Sequence, residues 1–161
     1  MNLVVRAARD EDADQMAAIL NEIVSIGGLT SREGPFDGGR IRREFISPPR
    51  GISCFVAAAG SDVKGFQSLE WSDPDWPGED RLPADWAFIS TYVQSGHRRL
   101  GIGKALFGRT IAAADAAGVC FIDASIRLEN AGALAFYDSL GFEDYRGIAN
   151  TVSKRFAPGR R

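Results

Sequence analysis

The segment Gln94-Ser95-Gly96-His97-Arg98-Arg99-Leu100-Gly101-Ile102-Gly103-Lys104-Ala105 joins an apolar, strand-like run (Trp86 to Val93) to a helix-like stretch (Leu100 to Ala117). A strand feeding a helix through a glycine-rich turn leaves backbone N–H groups free at the helix N-terminus, where the helix dipole also converges. Such a turn is an anion site best suited to phosphate. Gly101 and Gly103 keep side chains away so that oxygens can approach the backbone, while Arg98, Arg99 and Lys104 add diffuse positive charge. Two common phosphate loops fail here. A P-loop needs a glycine five residues before the second glycine and Ser or Thr after the lysine, but Arg98 and Ala105 stand there. The dinucleotide fingerprint needs a third glycine where Leu106 stands, and the segment lies far from the first strand.

The rest of the chain supplies the setting. Leu3 to Ala7 reads as an opening strand, and Asp10 to Ile26 as a helix capped by Asp10 or Asp12. Gly27-Gly28 ends that helix, Leu29 to Gly39 reads as a loop, and Arg40 to Ile46 as a short helix before Pro48-Pro49. Ile52 to Ala59 and Val63 to Trp71 form a hairpin about Gly60-Ser61-Asp62. The stretch Ser72 to Asp85, interrupted by Pro74, Pro77 and Pro83, is a long acidic loop. Val119 to Arg127 reads as a buried strand, and Asn130 to Leu140 as a helix with Asn130 at its N-cap and Gly141 beyond its end. Phe142 to Tyr145 and Ala149 to Phe156 complete the strands. Some strands meet through short turns and others through helices, which argues for a mixed α/β sheet with helices on both faces.

Composition narrows the function classes. The 161 residues fit one domain, and 45% apolar content can furnish a core. No apolar run reaches the roughly 18 residues of a membrane span, and the N-terminus turns charged at Arg6, so neither a membrane segment nor a signal peptide is expected. A formal charge of −2 argues against a nucleic-acid partner. Cys54 and Cys120 read as small buried hydrophobes of a reducing, cytoplasmic compartment, and the lone His97 leaves no Cys/His set for a metal.

Two blocks carry a resemblance. The first is Arg98-Arg99-Leu100-Gly101-Ile102-Gly103 after a strand ending at Val93, which fits the pattern Arg or Gln, two residues, Gly, one residue, Gly or Ala. The second is Asn130-Ala131-Gly132-Ala133-Leu134-Ala135-Phe136-Tyr137-Asp138-Ser139-Leu140-Gly141-Phe142. In this order and setting they resemble the GNAT superfamily of N-acetyltransferases in its single-domain bacterial type. The likeness is close over Trp86 to Phe142 and rests on strand–helix order elsewhere.

The resemblance implies one acyl-CoA N-acyltransferase domain over residues 1–161. Its fold would be a mixed, mostly antiparallel seven-stranded sheet, splayed between the fourth and fifth strands and flanked by about four helices. It implies acetyl-CoA as cosubstrate without a metal. Main-chain bonds to its pantetheine arm would come from Tyr92 and Val93, its pyrophosphate would sit on the N–H groups of Arg98, Arg99, Leu100, Gly101, Ile102, Gly103 and Lys104, and Asn130 would touch its arm. A backbone N–H near Tyr92 would serve the oxyanion, and Tyr137 would protonate the leaving thiolate. Phosphinothricin-type members carry a glutamate two residues before a Ser-x-Tyr-Val run. Here the run is Ser90-Thr91-Tyr92-Val93 and Phe88 stands in that slot, which leaves Glu70 and Asp85 as candidate bases. The acceptor would be a primary amine of a small molecule or of a peptide. Asp73, Asp75, Glu79, Asp80 and Asp85 around Trp71, Trp76 and Trp86 favour a cation, unless they only solvate the loop. The competing readings are a non-catalytic acyl-CoA-binding module on the same fold and an unrelated nucleotide-binding α/β domain. A homodimer is compatible with the resemblance.

Overall fold

The computed structural model describes residues 2–97 and 101–159. Seven strands lie in the order β1-β2-β3-β4-β5-β7-β6, with β1 Leu3–Ala7, β2 Gly51–Ala59, β3 Asp62–Trp71, β4 Trp86–Val93, β5 Phe121–Arg127, β6 Glu143–Ile148 and β7 Thr151–Phe156. All neighbours run antiparallel except β4 and β5, which are parallel. Helices α1 (Ala13–Ile26), α2 (Gly38–Ile41), α3 (Ile102–Ala117) and α4 (Ala131–Ser139) flank the sheet. This is the mixed α/β architecture expected from the sequence.

Alternation along the strands builds a core on each face. Val56, Phe66 and Tyr92 pack against Met16, Leu20, Ile41 and Phe45 from the α1–α2 side. Phe45 and Phe66 meet edge to face at 5.4 Å between ring centroids, a geometry worth about 0.5–1.5 kcal/mol beyond area burial. Leu69, Ala87 and Ile89 pack on the other side with Phe107 and Ala114 from α3, Tyr137 from α4, and Phe142. Further along that side, Phe55 and Ala57 meet Ile102 and Leu106. Among the described residues, no helix is long and apolar enough to cross a membrane.

Several local expectations shift. The β2–β3 hairpin is tighter than the sequence suggested. Ala59 pairs with Asp62, so the loop is Gly60-Ser61, and Gly60 takes the positive φ of 59° that a primed hairpin turn needs. The last hairpin turns at Ala149-Asn150, with Ala149 at φ 51°, so β7 begins at Thr151 rather than Ala149. A 3-10 turn over Asp10–Asp12 precedes α1, and Asp12 does not cap the helix. α2 begins at Gly38, where the Asp37 side chain accepts from Arg40 N–H, and a π turn over Arg42–Ile46 continues it. Cys54 is buried, and desolvation pushes its thiol up to about 12. Cys120 is exposed, because it lies between the end of α3 and the first residue of β5 rather than within the strand.

Asp12 has a different task. Its carboxylate takes both Arg6 guanidinium nitrogens, at 2.7 and 2.9 Å, and the Arg9 N–H at 2.8 Å, while only 4% exposed. These bonds, led by the one from Arg6, hold its carboxyl below the usual aspartate range. Asp12→Asn is expected to cost about 1.5–3 kcal/mol at neutral pH, the worth of hydrogen bonds to a charged group. Because the folded pKa is lowered, the difference from wild type is full above the ordinary aspartate range and fades as pH falls through the folded value. Urea unfolding of both proteins across that range checks the size and the direction.

Candidate active site

The parallel pair is short. β4 and β5 register only as Trp86↔Phe121, Ala87↔Ile122 and Phe88↔Asp123, after which Ile89 to Val93 and Ala124 to Arg127 continue without pairing to each other. A cavity of about 820 Å³ opens at this parting, lined by β3, β4, β5, α4 and the loops after α1 and β3.

Cross-strand partners share a face, so the register assigns the cavity's chemistry. Glu70, Phe88 and Asp123 form one row across β3, β4 and β5, and all three line the cavity. Ser68 and Ser90 are partners one step along, on the face that carries Tyr92 and the α1–α2 core. Gln67 and Thr91 are partners on the opposite face, where Tyr137 arrives from α4.

On the α1 face, Arg32 reaches in from the loop after α1. Its Nε donates to Tyr92 Oη at 3.0 Å, its other nitrogens reach Ser90 Oγ at 3.4 Å and Glu44 at 3.5 Å, and the guanidinium lies 4.4 Å from the Phe45 ring centroid. The Glu70 carboxylate makes no ion pair or hydrogen bond among the described residues, and partial burial raises it above the usual glutamate range despite nearby Arg32. Asp123 is only 3% exposed, and desolvation raises it as well, although it accepts from Tyr145 Oη and from Ser125 Oγ at 3.2 Å. On the other face Tyr137 is buried, its hydroxyl 2.8 Å from Thr91 Oγ1, and burial drives its pKa upward.

The remaining sequence candidates divide. Asn130 caps α4 by accepting from Ala133 N–H at 3.0 Å, while its amide nitrogen donates to Leu29 carbonyl at 3.1 Å, strapping the loop after α1 to α4 at the cavity wall. Gly101 is the N-cap of α3 at φ 78°, with open space where a side chain would project and no side chain capping the helix. Ile102 is buried in the core, which leaves its backbone at the turn, and Lys104 is exposed in the first turn. Arg98, Arg99 and Leu100 lie outside the described residues. Val93 ends β4 against Gly65 of β3. Asp85 is not brought to the cavity: it is exposed before β4, and its carbonyl accepts from Cys120 N–H at 2.8 Å. Arg32, Thr91, Gln67 and Asp123 escaped the sequence reading. Only Asp123 left a signal there, as the one charged residue between Val119 and Ile126.

Gly103 turns out to have a packing reason. A Cβ there would meet the Phe136 ring at 2.7 Å, so the glycine lets α4 close on the start of α3. Gly103→Val is expected to destabilise the fold by about 1–3 kcal/mol. Much of that should return in a Gly103→Val/Phe136→Ala protein relative to Phe136→Ala alone. A double-mutant cycle in urea measures the coupling, and strict additivity would mean that Phe136 is not the obstacle.

Comparison with known proteins agrees with this geometry. The model of the acetyltransferase (GNAT) family matches residues 16–142. Among curated proteins, no sequence relative matches the chain. Among solved structures, a GNAT N-acetyltransferase from Kribbella flavida superposes with TM-score 0.79 at 24% identity, covering 96% of this chain and 97% of that one. The structure of yncA from Salmonella typhimurium with its cofactor acetyl-CoA gives TM-score 0.77 at 19% identity, covering 100% of this chain and 96% of that one. A ribosomal-protein-alanine N-acetyltransferase from Brucella melitensis gives 0.73 at 24% identity, covering 96% and 99%. At these identities the likeness is one of fold.

Proposed function

We propose, from the premise that this chain belongs to the acetyltransferase (GNAT) family, that it transfers the acetyl group of acetyl-CoA to a primary amine by direct attack on the thioester. The observation that carries this reading is the parting of β4 and β5 over a cavity that Tyr137 enters from one face and Glu70 from the other. The free edges of Ile89 to Val93 and Ala124 to Arg127 suit an extended pantetheine arm, which can bond to backbone as a strand would. The uncapped start of α3, from Gly101 to Lys104, suits the pyrophosphate. The basic residues Arg98 and Arg99, and Leu100, which precede it in sequence, lie outside the described residues.

Each step has a group suited to it. An ammonium has no lone pair, so the amine must first lose a proton, and Glu70 takes it through water. Desolvation has raised the Glu70 carboxyl toward working pH, where a base is most effective. The developing oxyanion is met by β4 backbone N–H near Tyr92. Tyr137 gives its proton to the sulfur as it leaves, and burial keeps that hydroxyl protonated beforehand. The acceptor is a cationic small-molecule amine or a lysine-like amine of a peptide. Arg32 and Arg50 are already paired with Glu44 and Asp73, while Glu70 and Asp123 have no ion-pair partner among the described residues.

Thiol release from acetyl-CoA with a panel of primary amines tests the reading directly. Spermidine and aminoglycosides should outperform glutamate, and preference for glutamate would reduce the acidic loop to solvated surface. With the best amine, Tyr137→Phe should lower kcat about 10²–10⁴-fold with little change in acetyl-CoA affinity. Glu70→Gln should lower kcat/KM over a similar range and abolish its acidic limb. In the wild type that limb should lie above the ordinary glutamate range, with activity rising as pH passes upward through it, because the base works only when deprotonated.

A further inference from the structure

The acid–base assignment uses only the end of a chain of three side chains. Gln67 is fully buried on β3, and its Nε2 donates to Thr91 Oγ1 at 3.0 Å. Thr91 Oγ1 lies 2.8 Å from Tyr137 Oη. A threonine hydroxyl has one proton and two lone pairs. With one lone pair taken by the Gln67 N–H, the open question is which oxygen of the Thr91–Tyr137 pair donates. If Tyr137 donates, its proton points into the protein, away from the cavity. If Thr91 donates, the Tyr137 proton stays available to a group in the cavity.

The surroundings favour the second arrangement. Gln67 presents a donor to Thr91, so it cannot take the threonine proton, and its own carbonyl oxygen meets no donor among the described residues. Apart from Gln67, the Thr91 hydroxyl has no described hydrogen-bond partner but Tyr137. We propose that Gln67 and Thr91 are positioning residues that fix the polarity of this chain, so that Thr91 donates to the Tyr137 oxygen and the Tyr137 O–H is aimed at the leaving sulfur. The proposal rests on the reading of Tyr137 as the acid. When the carbon–sulfur bond breaks, sulfur keeps the electron pair and takes the Tyr137 proton. The phenolate left behind is held by the Thr91 O–H until the proton released by the amine returns through solvent. A donor on the phenolate oxygen favours the charged form, and the Thr91 bond does act to lower the Tyr137 pKa against its burial. A pair that only filled the core would gain nothing from leaving the Gln67 carbonyl without a partner.

Coenzyme A itself is a sufficient probe, so no acceptor needs to be known. The ultraviolet thiolate absorbance of the bound coenzyme is titrated with pH at saturation, with desulfo-coenzyme A as the blank. The proteins compared are wild type, Tyr137→Phe, Thr91→Val, Thr91→Ser and Gln67→Leu. The wild type should make the bound thiol more acidic than the free one, and Tyr137→Phe should remove that effect. Thr91→Val and Gln67→Leu should each weaken the thiol's acid constant about tenfold, as loss of support for a hydrogen bond to a charged group does. Thr91→Ser should restore it, and coenzyme affinity should change little throughout. The two valine and leucine variants reach the chain from different strands, so one folded protein is enough. Wild-type thiol acidity in both, with Tyr137→Phe still defective, would overturn the positioning roles and leave the acid in place. A more acidic thiol in Thr91→Val would show the opposite polarity and also overturn the proposal. An unchanged thiol in Tyr137→Phe would instead remove the reading of Tyr137 as the acid, and no coenzyme binding by the wild type would remove the acetyl-transfer reading beneath both.

Discussion

The parting of β4 from β5 is the constraint on which the rest of the structure depends. Each strand keeps its outer partner, β3 for β4 and β7 for β5, so opening the gap sacrifices only one shared ladder. The closed end is clamped by Trp86 against Phe121, with ring centroids 4.9 Å apart, and by the Cys120 N–H on the Asp85 carbonyl. Beyond Phe88, the edges that face the gap belong to the backbone. A backbone N–H or C=O withdrawn from water without a partner costs about 1–3 kcal/mol, so such a gap is stable only if water or an extended ligand can satisfy it. That requirement links the short register of the parallel pair to a strand-like ligand, independently of any side chain.

The same parting lets two faces of one sheet act on one point. In an unbroken sheet, Glu70 and Tyr137 would be separated by the backbone layer, since their rows point to opposite sides. Where the strands diverge, the α1 face supplies carboxylates and the α4 face supplies a phenol. On the proposed reading, proton removal and proton delivery would therefore be held apart, and the base would not quench the acid before bond cleavage. The Asn130 side chain joins the two halves, because it caps α4 and also holds the Leu29 carbonyl of the loop after α1. Arg32 on that loop is in turn fixed to Tyr92 and Ser90 of β4.

What was legible in the sequence follows from the range of each interaction. The order of strands and helices along the chain, the cap at Asn130 and the glycine at the start of α3, Gly101, are written in local pattern, and the fold agrees with them. Ends decided by tertiary contact were not legible. Asp12 looks like a helix cap, yet it turns to Arg6 across the β1–α1 junction. Gly103 looks like a phosphate glycine, yet its space is claimed by Phe136 from another helix. Cys120 sits in an apolar run, yet it falls one residue before its strand and faces solvent. The partnership of Gln67 and Thr91 is invisible in sequence because it depends on cross-strand register between β3 and β4.

Phe88 shows how register can bring carboxylates beside a slot that the sequence leaves without one. The slot that holds a glutamate in the phosphinothricin-type pattern holds a phenyl ring here, and sequence alone reads that as a missing base. In the sheet, the two nearest positions on the same face are its row partners, Glu70 on one side and Asp123 on the other. Adjacent strands lie roughly 4.8 Å apart, so each carboxylate is displaced by about one strand spacing from the slot. The two are not equivalent. Asp123 is deeply buried and engaged by Tyr145 on one oxygen and Ser125 on the other, which fixes it in place. Glu70 is less buried and has no described partner, so its lone pairs remain open to a water. On the proposed reading, the freer carboxylate would be the better proton acceptor, and the held one the better fixed partner for a cationic acceptor. Burial withdraws both carboxyls from water, which is the cause of their raised pKa values, and the Phe88 ring lies in the row between them.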